Sequence, residues 1–147
     1  MRYLALDIGA KRIGVALCDR LEITVTPAPI VAAGVAAPAA VAALVRAEGV
    51  EGLVVGMPWQ PDGGEGDACA LVRAFLAHLQ PLLPAGLPVH FWDESFTSQR
   101  AAAHVRAMGK GRKARRAPQD SLAASLLLQE FLAAPRRPPP AAPVGRS

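Results

Sequence analysis

Cysteine is scarce in this sequence. Cys18 and Cys69 are the only two among 147 residues, and neither has a second Cys or a His at metal-ligand spacing. This scarcity argues against a disulfide framework and against a zinc site. Both thiols are instead expected to behave as small buried side chains in a reducing compartment.

Long apolar runs are also missing. Hydrophobic residues make up 52% of the chain, yet no segment offers the roughly 20 uninterrupted apolar residues of a membrane span. The stretch from Met1 to Asp7 lacks the apolar core of a signal peptide. We therefore expect a cytoplasmic protein without a membrane partner, with one compact domain of ordinary size.

Acidic residues are fewer than basic ones, 12 against 16, which gives a net charge of +4 and a pI near 9.7. This charge balance makes nucleic acid a candidate partner. The stretch from Arg106 to Arg116 contains no acidic residue. We expect it to bind nucleic-acid phosphates; the alternative is that it forms a solvated surface without a binding role. Its basic residues are Arg106, Lys110, Arg112, Lys113, Arg115 and Arg116.

Hydrophobic patterning predicts a mixture of strands and helices. Strands are predicted at Tyr3–Ile8, Ile13–Cys18, Glu22–Val31, Gly52–Pro58 and Leu87–Trp92, the first two forming a hairpin. The Gly52–Pro58 run lacks alternation, which is typical of a strand covered on both faces. Helices are predicted at Ala39–Ala47, around Leu71–Leu79, at Thr97–Met108 and at Gln119–Leu132.

The residues after Ala134 differ in composition from the rest of the chain. The run Pro135-Arg136-Arg137-Pro138-Pro139-Pro140 and the residues up to Ser147 show no apolar periodicity. We therefore predict a domain over residues 1–134 and a disordered Pro/Arg-rich tail over residues 135–147.

Acidic residues stand at the predicted element ends. Asp7 ends the first strand, Asp93 and Glu94 follow the last strand, and Asp120 lies at the start of the last helix. Each has an ordinary explanation, because Asp is common in turns and acids are favoured in the first turn of a helix. Asp93 and Glu94 are adjacent on an extended strand end, so only one of them is expected to enter a shared site.

The order of elements resembles the ribonuclease H-like architecture, an α/β fold. Its mixed five-stranded sheet has three antiparallel strands followed by parallel strands and is flanked by helices. Four motifs make the resemblance more specific, namely Leu6-Asp7-Ile8-Gly9 with Gly14, Val55-Gly56-Met57-Pro58, Asp93-Glu94-Ser95-Phe96-Thr97 and Asp120-Ser121-Leu122-Ala123-Ala124. In this order they are similar to the motifs of the YqgF (RuvX) family of Holliday-junction-resolvase-like proteins.

The resemblance implies a hydrolase of phosphodiester bonds. The family is regarded as metal-dependent nucleases that mature the 5′ end of precursor 16S ribosomal RNA, and Holliday-junction resolution is the older proposal. It further implies that Asp7, Glu94 and Asp120 are the catalytic, metal-binding residues, and that Glu94 rather than Asp93 enters the site.

Three carboxylates suit this chemistry. Hard cations such as Mg²⁺ or Mn²⁺ prefer oxygen ligands, and a pair of cations can activate water and neutralise the charge on the leaving oxygen. Lys11 and Arg12, in the first hairpin turn, are further candidates for phosphate contact, with solvated hairpin charges as the alternative. Trp59 either stacks on a base or covers the edge of the core.

Other functional interpretations remain open at this point. An Asp-x-Gly hairpin also occurs in actin-like and sugar-kinase ATPases, but those proteins close two such domains over a nucleotide. A DNA junction resolvase would require a homodimer, whereas an RNA nuclease could act as a monomer. A catalytically silent factor that binds RNA or a ribosomal precursor particle through its basic segment is the third possibility.

Overall fold

The computed structural model describes residues 1–94 and 121–141 of the chain. Within these ranges, five strands form one sheet with the spatial order β3-β2-β1-β4-β5. The strands are β1 (Tyr3–Ile8), β2 (Arg12–Cys18), β3 (Val25–Ala32), β4 (Gly52–Met57) and β5 (Val89–Asp93). The helices are α1 (Ala37–Ala47), α2 (Asp67–Leu79) and α3 (Leu122–Ala133), and a short 3-10 helix spans Gln80–Leu82.

Strands β1 and β2 form the predicted antiparallel hairpin, with Asp7 opposite Gly14. The hairpin turn is closed by the Gly9 amide, which donates to the Arg12 carbonyl at 3.0 Å. A Cβ at Gly9 would lie 2.9 Å from that carbonyl oxygen, closer than real Cβ contacts allow. Glycine at this position therefore permits the tight turn that directly follows Asp7.

Strand β3 pairs antiparallel with β2 but begins at Val25, three residues later than predicted. The Asp19 carboxylate accepts hydrogen bonds from the amides of Ile23 and Thr24, and Glu22 has a positive φ of 60°. An aspartate side chain that bonds nearby amides stabilises a turn in competition with a strand. The residues before Val25 therefore form the connection between β2 and β3.

The other two strands run parallel to β1, with β4 beside β1 and β5 beside β4. Every residue of β4 is buried, as its unbroken apolar run predicted. Helices α1 and α2 connect these strands near their predicted positions. The α/β fold with a mixed five-stranded sheet is thus confirmed, with three antiparallel strands followed by two parallel ones.

The sheet has a hydrophobic core on each face, because side chains alternate along a strand. Leu4 and Leu6 of β1 face the core formed with α1 and α2, whereas Tyr3 and Ala5 face the core formed with α3. Phe131 of α3 is fully buried in the second core. Helix α3 therefore covers the face of the sheet opposite α1 and α2.

Residues 135–141 differ from the expected disordered tail, because they lie against the fold. The Arg137 guanidinium donates to Glu22 at 2.7 Å and lies over the rings of Tyr3 and Phe131. The Pro138 carbonyl is 2.7 Å from Nδ1 of His90, and the Ala141 amide donates to the Val89 carbonyl at 2.6 Å. We call residues 135–141 the C-terminal strap. Its position is explained by the aromatic rings under Arg137 and by the backbone groups on the outer edge of β5, with which it forms hydrogen bonds.

Several predictions fall on residues outside the described ranges. These are the Thr97–Met108 helix, the basic stretch from Arg106 to Arg116, the first two residues of the predicted last helix, and residues 142–147. In the part of the chain that is described, no helix is both long enough and apolar enough to cross a membrane.

Candidate active site

Asp7 and Glu94 come together at one edge of the sheet. Asp7 is the fifth residue of β1, and Glu94 directly follows β5. Both strands run parallel to β4, which lies between them. Because carboxyl ends of parallel strands meet at the same edge, two acids far apart in sequence become neighbours there.

The two carboxyl groups interact directly. A side-chain hydrogen bond joins Glu94 to Asp7, which requires a proton between the two groups. The pKa of Glu94 is raised to about 8, first by burial, then by this hydrogen bond, and then by the negative charges of Asp7 and Asp93. Like charges brought together in a partly buried place disfavour ionisation.

Glu94 also has an unused ligand atom. Its Oε1 is buried and has no hydrogen-bond partner among residues 1–94 and 121–141. A buried carboxylate oxygen without a donor is costly unless a proton or a cation compensates its charge. The acid pair with this oxygen therefore has the chemistry of a site for a hard divalent cation.

Gly56 provides the space that Glu94 occupies. A Cβ on Gly56 would lie 2.9 Å from Oε1 of Glu94 and 2.5 Å from Cδ1 of Leu127. The Glu94 side chain thus passes directly over the backbone of β4. Sequence patterning had identified Gly56 only as part of a motif, because this close approach arises between distant segments.

The third predicted ligand, Asp120, lies outside the described residues, but the next residue does not. Ser121 lies near Asp7: its Cα is 3.7 Å from the ideal Cβ position of Gly14, and the Asp7 Cβ is 3.6 Å from the same point. Among residues 1–94 and 121–141, no group of three or more His, Cys, Asp or Glu side chains could hold a metal ion. The described site is therefore an acid pair.

Ser121 was not identified as a functional candidate from the sequence. It is 4% exposed, and its hydroxyl accepts a hydrogen bond from the Val15 amide and donates one to the Ala28 carbonyl. These partners are 106 and 93 residues away along the chain. No local pattern could have indicated such contacts, although Ser121 stands beside Asp120 in the last motif.

The basic candidates divide into two groups. Lys11 lies in the turn between β1 and β2, Arg12 begins β2, and both are exposed. The six basic residues of the stretch from Arg106 to Arg116 lie outside the described ranges.

Trp59 is half-buried and packs against the core on the α1 and α2 face of the sheet. Its ring packs edge-on against Phe91 with centroids 6.5 Å apart, and its Nε1 lies 3.4 Å from Glu65. Glu65 in turn accepts two hydrogen bonds from Arg73, at 2.7 and 2.6 Å. These contacts favour the interpretation in which Trp59 covers the edge of the core.

Comparisons with known proteins agree with this arrangement. Residues 1–134 match the family described as "RuvX: Holliday junction resolvase". A protein of Syntrophus aciditrophicus named "Putative pre-16S rRNA nuclease" is 42% identical over 139 residues, covering 90% of this chain and 88% of that protein. A protein of the same name from Moorella thermoacetica is also 42% identical, covering 90% and 94%.

Solved structures share the fold at low sequence identity. RuvC of T. thermophilus in complex with a Holliday junction substrate superimposes with a TM-score of 0.59 at 15% identity, covering 95% of this chain and 99% of that one. The fowlpox virus resolvase in complex with Holliday junction DNA gives a TM-score of 0.55 at 13% identity, covering 90% and 97%. The architecture is therefore the ribonuclease H-like fold of the resolvases. With the family match over residues 1–134, the chain belongs to the RuvX family and is a nuclease, a hydrolase that acts on ester bonds.

Proposed function

We propose that the acid pair of Asp7 and Glu94, together with Asp120, binds Mg²⁺ or Mn²⁺ and cleaves phosphodiester bonds of precursor 16S ribosomal RNA in the cytoplasm. One observation carries the proposal, namely the contact of the Asp7 and Glu94 carboxyl groups at the strand ends. The buried, unpartnered Oε1 of Glu94 gives this pair the donor set of a hard-cation site.

When bound, divalent cations would supply an activated water and stabilise the charge of the departing oxygen. The protein's own residues have a simpler role. Asp7 is held by the β1–β2 ladder opposite Gly14, and Glu94 is held over Gly56. Both carboxylates are thereby fixed on rigid strand ends, which favours the precise geometry that phosphodiester cleavage requires.

Exposed cations beside the acids favour a polyanionic substrate. Lys11 and Arg12 are exposed at the end of the β1–β2 hairpin where Asp7 lies. The six basic residues from Arg106 to Arg116 precede Asp120, the third proposed ligand, by 4 to 14 residues in the sequence. We propose that both groups contact phosphates along the RNA, on either side of the cleaved bond.

Precursor 16S RNA is proposed because the two relatives at 42% identity carry that substrate in their names. Free precursor RNA and a ribosomal precursor particle are both suitable partners. The second candidate is a DNA junction resolvase, favoured by the family description and by the junction-bound structures with the same fold. A resolvase must present two sites, so it would act as a homodimer.

The test compares wild type with Asp7→Asn and Glu94→Gln on two labelled substrates, precursor 16S RNA and a four-way DNA junction. Each protein is incubated with Mn²⁺ or with EDTA, and the products are resolved at nucleotide length. We expect cleavage of the RNA that requires Mn²⁺ and falls about 100- to 1,000-fold in either variant, in line with the loss of an electrostatic catalytic group.

Glu51→Gln is the matched control, since Glu51 is an exposed acid just before β4, at the opposite edge of the parallel strands. It should cleave at the wild-type rate. Symmetric cleavage of the junction by a dimer would instead establish the resolvase. RNA binding without cleavage in any metal would establish a non-catalytic assembly factor.

A further inference from the structure

Ser121, immediately before α3, has an unusual backbone conformation that the proposed chemistry does not yet use. Its φ and ψ are 53° and 39°, in the left-handed region. Non-glycine residues occupy this region only where surrounding contacts hold them there. Ser121 is buried, so the contacts that hold it are those of its own side chain and its neighbours.

The Ser121 hydroxyl is inserted between two strands. It accepts a hydrogen bond from the Val15 amide at 2.9 Å and donates one to the Ala28 carbonyl at 2.8 Å. Val15 and Ala28 are opposite each other in the β2–β3 ladder, beside a shift in register between Ile13 and Val15. A hydroxyl can donate and accept at once, so it satisfies both strands at this irregularity.

This anchor lies next to the proposed metal site. Gly14 pairs with Asp7 in the β1–β2 ladder. An ideal Cβ on Gly14 would lie 3.6 Å from the Asp7 Cβ and 3.7 Å from the Ser121 Cα. The backbone of Ser121 is therefore packed close to Asp7. Asp120, the third proposed ligand, directly precedes Ser121 in the sequence.

We propose that Ser121 is a positioning residue for the metal ligands. Its hydroxyl fastens the start of α3 to β2 and β3, and this holds the helix in place beside Asp7, one of the proposed ligands. The inference rests on the proposed metal-dependent function and deepens it. Residues that orient metal ligands typically contribute about 10- to 100-fold to metal affinity.

The test measures Mn²⁺ binding by the electron paramagnetic resonance signal of free Mn²⁺, and RNA cleavage as a function of Mn²⁺ concentration. The variants are Ser121→Ala and Ser121→Gly. Glycine removes the hydroxyl but favours the left-handed backbone, so Ser121→Gly keeps the fold even where Ser121→Ala is poorly folded. Ser125→Ala is the matched control. Ser125 is a buried serine one turn later in α3, and its hydroxyl has no hydrogen-bond partner in the described part of the chain.

We expect Ser121→Gly to weaken Mn²⁺ binding about 10-fold or more. The concentration for half-maximal cleavage should rise equally, with an unchanged KM for RNA at saturating Mn²⁺. Ser125→Ala should match wild type in both measurements. A purely structural role would lower the melting temperature of Ser121→Gly in EDTA but leave its Mn²⁺ affinity at the wild-type value. This result would overturn the inference about Ser121 without contradicting the proposed metal site. Failure of wild type itself to bind Mn²⁺ would overturn the metal site and the inference together.

Discussion

Among the described residues, Glu94 links the chemistry of the site to the stability of the protein. In the absence of metal, its folded-state pKa is about 8, against an ordinary value of 4.5. Between these pH values the folded protein holds a proton that the unfolded chain releases. The associated stabilisation is fully present below pH 4.5 and is lost as pH rises through about 8.

We therefore predict that the free energy of unfolding of the metal-free protein decreases between about pH 5 and pH 8. Glu94→Gln should reduce this decrease, because an amide does not titrate. The measurement is urea unfolding in EDTA at several pH values. Wild type is compared with the variant, so that the contributions of other titrating groups cancel. Equal pH dependence in the two proteins would show that Glu94 does not carry the shifted titration.

Divalent cations should reverse this behaviour. A cation that binds only the folded protein stabilises it by about 2.7 kcal/mol when its concentration is 100 times the dissociation constant. We predict that millimolar Mn²⁺ raises the melting temperature of wild type, and more so at higher pH because the ligands must be deprotonated. Asp7→Asn should lose most of the increase, and a Mn²⁺ effect equal in wild type and Asp7→Asn would place the binding elsewhere.

Gly56 gives a prediction about steric space beside the acids. A Cβ there would lie 2.5 Å from Leu127 and 2.9 Å from Glu94, so Gly56→Ala must displace both side chains. Overpacking of this kind costs about 1 to 3 kcal/mol, and Mn²⁺ binding should weaken as well. Gly14→Ala is the comparison, because its Cβ would meet its neighbours at ordinary distances of 3.5 to 3.7 Å. Equal stability of the two variants in urea would contradict the packing at Gly56.

The sequence was informative about these residues to different degrees. Asp7 and Glu94 were predicted from motifs at strand ends, and the structure brings them into contact. The resemblance, not the local pattern, separated Glu94 from Asp93. Ser121 and Gly56 could not be predicted as parts of the site, because their contacts join segments far apart in the chain.

At the scale of elements, periodicity predicted the strands and helices well where hydrophobic burial determines them. The all-buried β4 and the β1–β2 hairpin are examples. Periodicity performed less well where side chains compete with the backbone, as at Asp19 before β3. It also did not indicate the C-terminal strap, which has no repeating apolar pattern and is held by one arginine and a few backbone groups.

The C-terminal strap gives an element-scale prediction. Deletion of residues 135–147 removes the contacts of Arg137 with Glu22, Tyr3 and Phe131, and the hydrogen bond from Ala141 to Val89. We expect a lower melting temperature and a loss of about 1 to 3 kcal/mol, the sum of a partly exposed ion pair, cation–π contacts and hydrogen bonds. Deletion of residues 142–147 alone keeps these contacts and serves as the control. If the longer deletion had the same melting temperature as the full-length protein, the strap would not stabilise the fold.

For the whole molecule, the distribution of charge connects the acid pair to its substrate. The acids lie at one sheet edge, and Lys11 and Arg12 extend from the same hairpin as Asp7. A net charge of +4 with a cluster of six basic residues predicts binding dominated by phosphate contacts. Binding of this kind releases counterions and must weaken with salt.

If all six basic residues between Arg106 and Arg116 contact phosphate, the logarithm of affinity should fall with the logarithm of salt concentration with a slope of about 4 to 5. Arg112→Gln combined with Lys113→Gln should reduce that slope by about 1.4 to 1.8, at roughly 0.7 to 0.9 for each contact. Arg46→Gln with Arg20→Gln is a control of equal charge. Arg20 follows β2 and Arg46 lies near the end of α1, so both are at the opposite end of the strands from the acid pair. The measurement is fluorescence anisotropy of labelled RNA in EDTA, so that binding is separated from cleavage. Equal slopes for wild type and the first double variant would mean that the basic stretch does not hold the RNA, and recognition would then have to come from the hairpin beside Asp7.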